Sequence, residues 1–203
     1  MDIETDTSGG FGLDPRKAGV VSVAVWNGDA AVVFDSTNEA AMLTDLAAWL
    51  ANPHREPGVI VTWNGACFDL PFLATRAEKL GISELTELLD MRASDLREPK
   101  YDPIGGHEGG YIARIGRHDH ADVMFAYRDF STERGIRHSL KPVASELGIE
   151  VIVEDREAIH ELTRRELIAY NLSDVNATFE LAARLGDELT NWCDAADWHV
   201  QVA

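Results

Sequence analysis

Three things are scarce in this sequence: cysteine, positive charge and long apolar runs. Cys67 and Cys193 are its two cysteines, too few and too far apart for a zinc spacing or a disulfide framework, so both read as reduced thiols. Lys and Arg number 18 against 35 Asp and Glu, a formal net charge of −17. That balance works against coating a polyanion through long-range attraction. No apolar run approaches the ~20 residues of a membrane-spanning helix, so no membrane contact is expected. The acidic N-terminus lacks the apolar segment of a secretory signal, and a cytoplasmic location is the expectation. With 203 residues, 45% hydrophobic and 26% charged, the chain reads as one domain over 1–203.

The positive charge that is present is concentrated. Residues 92–141 hold nine of the 18 Lys and Arg against eight acids, leaving nine basic residues against 27 acids elsewhere. Arg114, Arg117, Arg128, Arg134, Arg137 and Lys141 make this middle the place for local phosphate contacts. The plainer reading of such a run is a solvated loop.

The periodicities alternate. Residues 18–36 read as a β-hairpin around Asn27-Gly28, a strong turn signal. Residues 38–51 have helical apolar spacing. "VIVTW" is short and continuously apolar, as expected of a strand covered on both faces. A helix follows and ends near Gly81. Residues 92–118, with two Gly pairs, read as a long loop or a ribbon flanking a groove. "ADVMFAY" reads as another buried strand, "HSLKPVASELG" as a short helix closed by Gly148, and 163–189 as a long amphipathic helix. The order predicts an α/β fold, a central mixed β-sheet flanked by helices.

Acids gather beside these boundaries. Asp2, Glu4 and Asp6 alternate on an opening strand, which points them to one face. Asp69 stands at a strand-to-helix junction, where the helix dipole favours a carboxylate. Tyr170 and Asp174 lie one helical turn apart. Asp122, near His118 and His120, heads an expected strand. Singly, each has an ordinary role: an acidic terminus, an N-cap, a core aromatic, a solvated helix residue, a strand entry. Together they require a cation, because carboxylates sharing a site raise each other's pKa. An all-oxygen donor set suits Mg²⁺ or Mn²⁺, and two such ions suit in-line phosphoryl displacement. A Ca²⁺ buffer built on Asp2, Glu4 and Asp6 lacks the binding-loop pattern.

In these motifs the sequence resembles the DEDD 3′–5′ exonucleases, tyrosine branch, similar to the exonuclease domain of family B DNA polymerases. Asp2-Ile3-Glu4 matches the first motif, "WNGACFD" with Asn64, Phe68 and Asp69 the second, and Tyr170-x-x-x-Asp174 the third. Ala169 stands where the histidine branch carries its histidine. Only Met1 precedes the Asp-x-Glu, where the family has several apolar residues; the expectation is that the strand's true start lies upstream or that another segment covers the gap. The resemblance implies a ribonuclease H-like fold and hydrolysis from the 3′ end of single-stranded DNA or RNA, DNA favoured. It implies two divalent ions, Mg²⁺ or Mn²⁺, held by Asp2, Glu4, Asp69 and Asp174, and Tyr170 orienting the attacking water. Asn64 and Phe68 would meet the terminal nucleotide, and Arg137 and Lys141 its phosphates. A polymerase or repair protein in trans is the implied partner. The alternatives are a catalytically inactive partner-binding module of the same fold, and an RNA-trimming exoribonuclease.

Overall fold

The computed structural model of the chain describes residues 1–26, 29–94, 110–154 and 156–194. The Asn27-Gly28 turn, and the Gly-rich stretch as far as residue 109, lie outside the described residues. Seven strands are described: β1 (Asp2–Thr5), β2 (Val20–Trp26), β3 (Ala31–Asp35), β4 (Val59–Thr62), β5 (Leu89–Ser94), β6 (Gly110–Ile115) and β7 (His118–Asp122). The helices are α1 (Glu39–Leu50), α2 (Asp69–Leu80), α3 (Ser83–Leu88), α4 (Arg128–Arg134), α5 (Leu140–Glu146) and α6 (Arg164–Leu185). No helix among the described residues is long and apolar enough to cross a membrane.

The strands form two ladders, β1-β2-β3 and β4-β7-β6-β5. The first is an antiparallel meander, with Asp2 opposite Ala24 and Glu4 opposite Ser22. In the second, β4 and β7 are parallel and β6 is antiparallel to both its neighbours. The expected mixed sheet is therefore present with a seam between β1 and β4. Hydrogen bonds link the two sides of that seam. The Met1 amino nitrogen donates to the Val61 carbonyl at 2.7 Å, and the Ile3 N–H donates to Asp69 Oδ1 at 3.1 Å.

Alternation on β1 sorts its side chains. Met1 and Ile3 join the core shared with α1, α2 and α3, while Asp2 and Glu4 take the face covered by α6. Helix α6 begins in a capping box, Thr163 with Glu166, which satisfies free N–H groups of its first turn. Its buried stripe includes Tyr170, Asn171, Asp174, Ala177, Thr178 and Leu181, the 3–4 residue spacing of a helix lying on a sheet. A second core, with Trp63, Val123, Leu140 and Val143, packs beneath it.

Two expectations change. The strand expected at 121–127 lies earlier, at His118–Asp122, and Phe125–Tyr127 is a 3-10 turn. The apolar run is buried there, but it is buried as a turn packed under α5 and α6, a case periodicity over so few residues does not separate from a strand. Val59 is 41% exposed, so β4 is not covered along its whole length. The 92–118 segment is a ribbon where described: β5 pairs with β6 and β6 with β7.

Arg76 ties α2 to α1 and to the loop before β2. It is 6% exposed, donates through Nε to Glu39 Oε1 at 2.8 Å and through Nη1 to the Pro15 carbonyl at 2.9 Å. Glu39 also accepts the Val20 N–H. Removing one member of such a pair strands the other. Arg76→Met is expected to lower unfolding free energy by about 3 kcal/mol, measured by urea denaturation; a change under about 0.5 kcal/mol would show that the pair contributes nothing net.

Candidate metal centre

The second ladder ends in a turn that sets the position of Asp69. After β4 the chain passes through Asn64 with φ of 68°, a left-handed conformation that Asn tolerates better than most residues. The Asp122 carboxylate, at the end of β7, accepts three backbone N–H groups: Asn64 and Met124 on Oδ1, Ala66 on Oδ2. A Cβ on Gly65 would stand 2.2 Å from Thr62 Oγ1, so only glycine fits. The turn is thus pinned, and α2 starts at Asp69 with Phe68 as its N-cap residue. Asp69 does not cap its own helix as an N-cap would. It reaches across the seam to the Ile3 N–H.

From the other side, β1 delivers Asp2 and Glu4, and α6 delivers Asp174. These three place one ligand atom each within 4.8 Å of one another. Asp69 stands outside this trio but belongs to the same field. Burial, then the charges of Asp69, Glu4 and Asp174, hold the Asp2 carboxyl well above the usual range. Burial pushes Asp69 up to about 7. Asp6 departs from the other acids. The register of β1 shifts between Glu4 and Thr5, and Asp6 instead takes hydrogen bonds from the Ser8 side chain and N–H, which lower its pKa.

Tyr170 is 3% exposed. Lys141 Nζ lies 3.6 Å from its ring centroid and 3.0 Å from Asp174 Oδ1, and it also donates to the Ile152 carbonyl. Lys141 is therefore inside the site rather than on an outer lip. Arg137 is exposed on the segment between α4 and α5. Phe68 stacks at a tilt on Phe72, centroids 5.4 Å apart. Asn64 Oδ1 is buried with no hydrogen-bond partner among the described residues.

The basic middle divides into two. Residues 128–141 follow the end of β7 that carries Asp122. Arg117, by contrast, donates to the Pro53 carbonyl beside the start of β7, and Arg114 lies opposite Asp119 in the ladder. About 13 Å of strand separates that end from Asp122. The structure therefore does not bring Arg114 and Arg117 to the carboxylates. A cavity of about 680 Å³, lined by Met1, Trp26, Val59, His118 and Phe179 among others, opens at this far end, and none of the four carboxylates lines it.

Sequence reasoning passed over Asn171, whose Nδ2–H donates to Asp2 Oδ2 at 2.7 Å. Its place between Tyr170 and Asp174 was the available signal. It also passed over Asp194, which accepts from His120 Nδ1 at 2.7 Å while His120 Nε2 meets Thr62 Oγ1 at 2.8 Å. Sequence separation hid that pair.

Asp2, Glu4 and Asp174 fit a divalent ion: the donors are hard oxygens, mutually repelling, and close enough to share one centre. Without an ion, the raised Asp69 pKa has a defined sign. A carboxyl that binds its proton more tightly folded than unfolded makes stability fall as pH rises, here from about 4 to about 7. In EDTA, Asp69→Asn, which keeps an acceptor for Ile3, is expected to melt higher than the unaltered protein at pH 8 and equally at pH 4. Parallel melting curves across that range would rule out the burial of an ionised Asp69.

Residues 1–186 match the family model for the RNase_H superfamily. A DNA polymerase of Thermococcus aggregans is 32% identical over 133 residues, covering 63% of this chain and 7% of that protein. DNA polymerase 1 of Aeropyrum pernix is 30% identical over 162 residues, 78% of this chain and 15% of that protein. The chain thus spans a small fraction of these relatives. The structure of a family B DNA polymerase from Pyrobaculum calidifontis superposes with a TM-score of 0.60 at 23% identity, over 91% of this chain and 24% of that one, a likeness of fold.

Proposed function

The chain belongs to the RNase_H superfamily, and we propose that within it the protein is a metal-dependent 3′–5′ exonuclease of the tyrosine branch, acting as one domain over 1–203. The observation that carries this reading is the convergence of Asp2, Glu4 and Asp174 from β1 and α6, with ligand atoms within 4.8 Å. Asp69 and Tyr170 at its edge support it. DNA is favoured over RNA because the relatives are DNA polymerases. A polymerase or repair protein in trans is the partner that this reading suggests.

Asp2, Glu4 and Asp174 would hold one divalent ion, Mg²⁺ or Mn²⁺, with Asp2 shared by a second ion that Asp69 supports directly or through water. Ions bound there supply charge stabilisation for a phosphodiester undergoing in-line displacement and make a nucleophile of water at neutral pH. The chain's own groups do the rest. Tyr170, one turn before Asp174, orients the water with its hydroxyl. Lys141, already beside both residues, meets a phosphate oxygen. Asn64 Oδ1 accepts a hydrogen bond from the terminal nucleotide, and Phe68 stacks on its base, a contact tolerant of base identity. Arg137 binds the next phosphate. The water oxygen bonds to phosphorus as the P–O3′ bond breaks. The 3′ oxygen of the shortened strand takes a proton, and a nucleoside 5′-monophosphate leaves.

The test uses 5′-labelled single-stranded DNA and RNA with Mn²⁺ or EDTA. The expected result is a metal-dependent ladder shortening from the 3′ end, faster on DNA, and slowed more than about 100-fold by Asp174→Ala. That figure is a lower bound, since even outer partners of a metal ligand cost about 10–100-fold. A faster RNA ladder would make the protein an RNA-trimming enzyme. No ladder from a folded protein would make it an inactive binding module.

A further inference from the structure

Asp2 lies in the field of three other acids, Glu4, Asp69 and Asp174. A carboxylate torsion is soft, with broad two-fold preferences, so something must choose which oxygen faces the trio. One neutral donor does so. Asn171 Nδ2–H donates to Asp2 Oδ2 at 2.7 Å, and Asn171 Oδ1 accepts the Ser22 hydroxyl at 2.9 Å. Both Ser22 and Asn171 are fully buried. The reverse amide orientation would set a carbonyl oxygen against an ionised carboxylate, acceptor facing acceptor. Ser22 also lies opposite Glu4 in the β1–β2 ladder. One turn of α6 therefore carries Tyr170, Asn171 and Asp174, and the middle one joins β1 to β2 at the two acids of the opening strand.

We propose that Asn171, held by Ser22, is the positioning residue that fixes the Asp2 carboxylate for cation binding, an inference that rests on the metal-dependent reading above. Asn171 touches neither ion nor substrate; it acts through Asp2. An outer partner of this kind sets ligand geometry, and its loss weakens metal binding by about 10–100-fold.

The experiment titrates Mn²⁺ into the metal-free protein by calorimetry, with no substrate present, and follows urea unfolding in EDTA alongside. Asn171→Leu keeps the volume and removes the donor. Ser22→Ala combined with Asn171→Leu removes both members of the Ser22–Asn171 bond, so no buried hydroxyl is left unpaired as it is in the single variant; Asp2 loses its donor in both. The expected result is Mn²⁺ binding weakened about 10–100-fold in both variants, with the double variant unfolding at higher urea than Asn171→Leu alone. Affinity within twofold of the unaltered protein would overturn the proposal and leave Asn171 a packing residue. Loss of Mn²⁺ affinity matched by an equal loss of folded protein in both variants would overturn it as well. If the unaltered protein binds no Mn²⁺, the metal-dependent reading itself falls, and this inference with it.

Discussion

Four carboxylates converge where two strand ladders fail to join. Asp2 and Glu4 come from the edge of one ladder, Asp69 from the turn beyond the other, and Asp174 from the helix laid across both. Burial raises the pKa of both Asp2 and Asp69, and β1 lacks the ladder partners that a continuous sheet would give it on this side. One contact relieves both problems in part. The Asp69 carboxylate accepts the Ile3 N–H, so a strand edge that lacks a partner obtains an acceptor, and an acid that lacks solvent obtains a donor. The seam and the acid cluster are thus one feature. A continuous ladder at Ile3 would have no use for Asp69, and an isolated Asp69 would have no reason to be buried.

Support for that contact runs backward into the fold. Asp69 is where it is because the turn at 64–67 is fixed. The turn is fixed because Asp122 accepts two of its N–H groups, those of Asn64 and Ala66, and because Gly65 lies directly on Thr62. Thr62 is held in turn by His120, and His120 by Asp194, all three fully buried. Asp194 also accepts the Ala113 N–H, so residues near the end of the described chain brace β6, β7 and β4 together. A left-handed Asn64 costs on the order of 1 kcal/mol or more and persists because so much surrounds it. Such strain beside a cluster of acids accords with the binding role proposed for this end of the sheet.

Much of this was legible from local pattern. The hairpin at β2–β3, the Gly81 and Gly148 helix ends, and the Tyr170–Asp174 spacing are all short-range signals, and the fold class follows from their order. The trio Asp2, Glu4 and Asp174 could be assembled only through resemblance, because its ends are 172 positions apart. What stayed hidden is of two kinds. Asn171 and Asp194 are polar residues whose meaning lies in a partner far along the chain, Asp2 in one case and His120 in the other. The 121–127 run misleads because a buried 3-10 turn and a buried strand show the same short apolar string. Composition presents the basic middle as one surface, and pairing divides it: β7 has Arg117 beside its start and the 128–141 segment beyond its end.

That division resolves the awkward charge of −17. At physiological ionic strength charges interact strongly only within about 8 Å, so acids on the flanks do little to a phosphate that has already arrived. What matters is the few ångströms around the trio, where Lys141 lies beside Asp174 and where bound cations would outnumber any surface arginine in charge. The acidic body instead removes long-range attraction, so the protein would gain nothing from duplex it passes at a distance. On the proposed reading, attraction confined to the site favours whatever reaches it with few phosphate contacts. A single flexible strand end would do so, whereas a duplex would have to bring two backbones against an acidic surface.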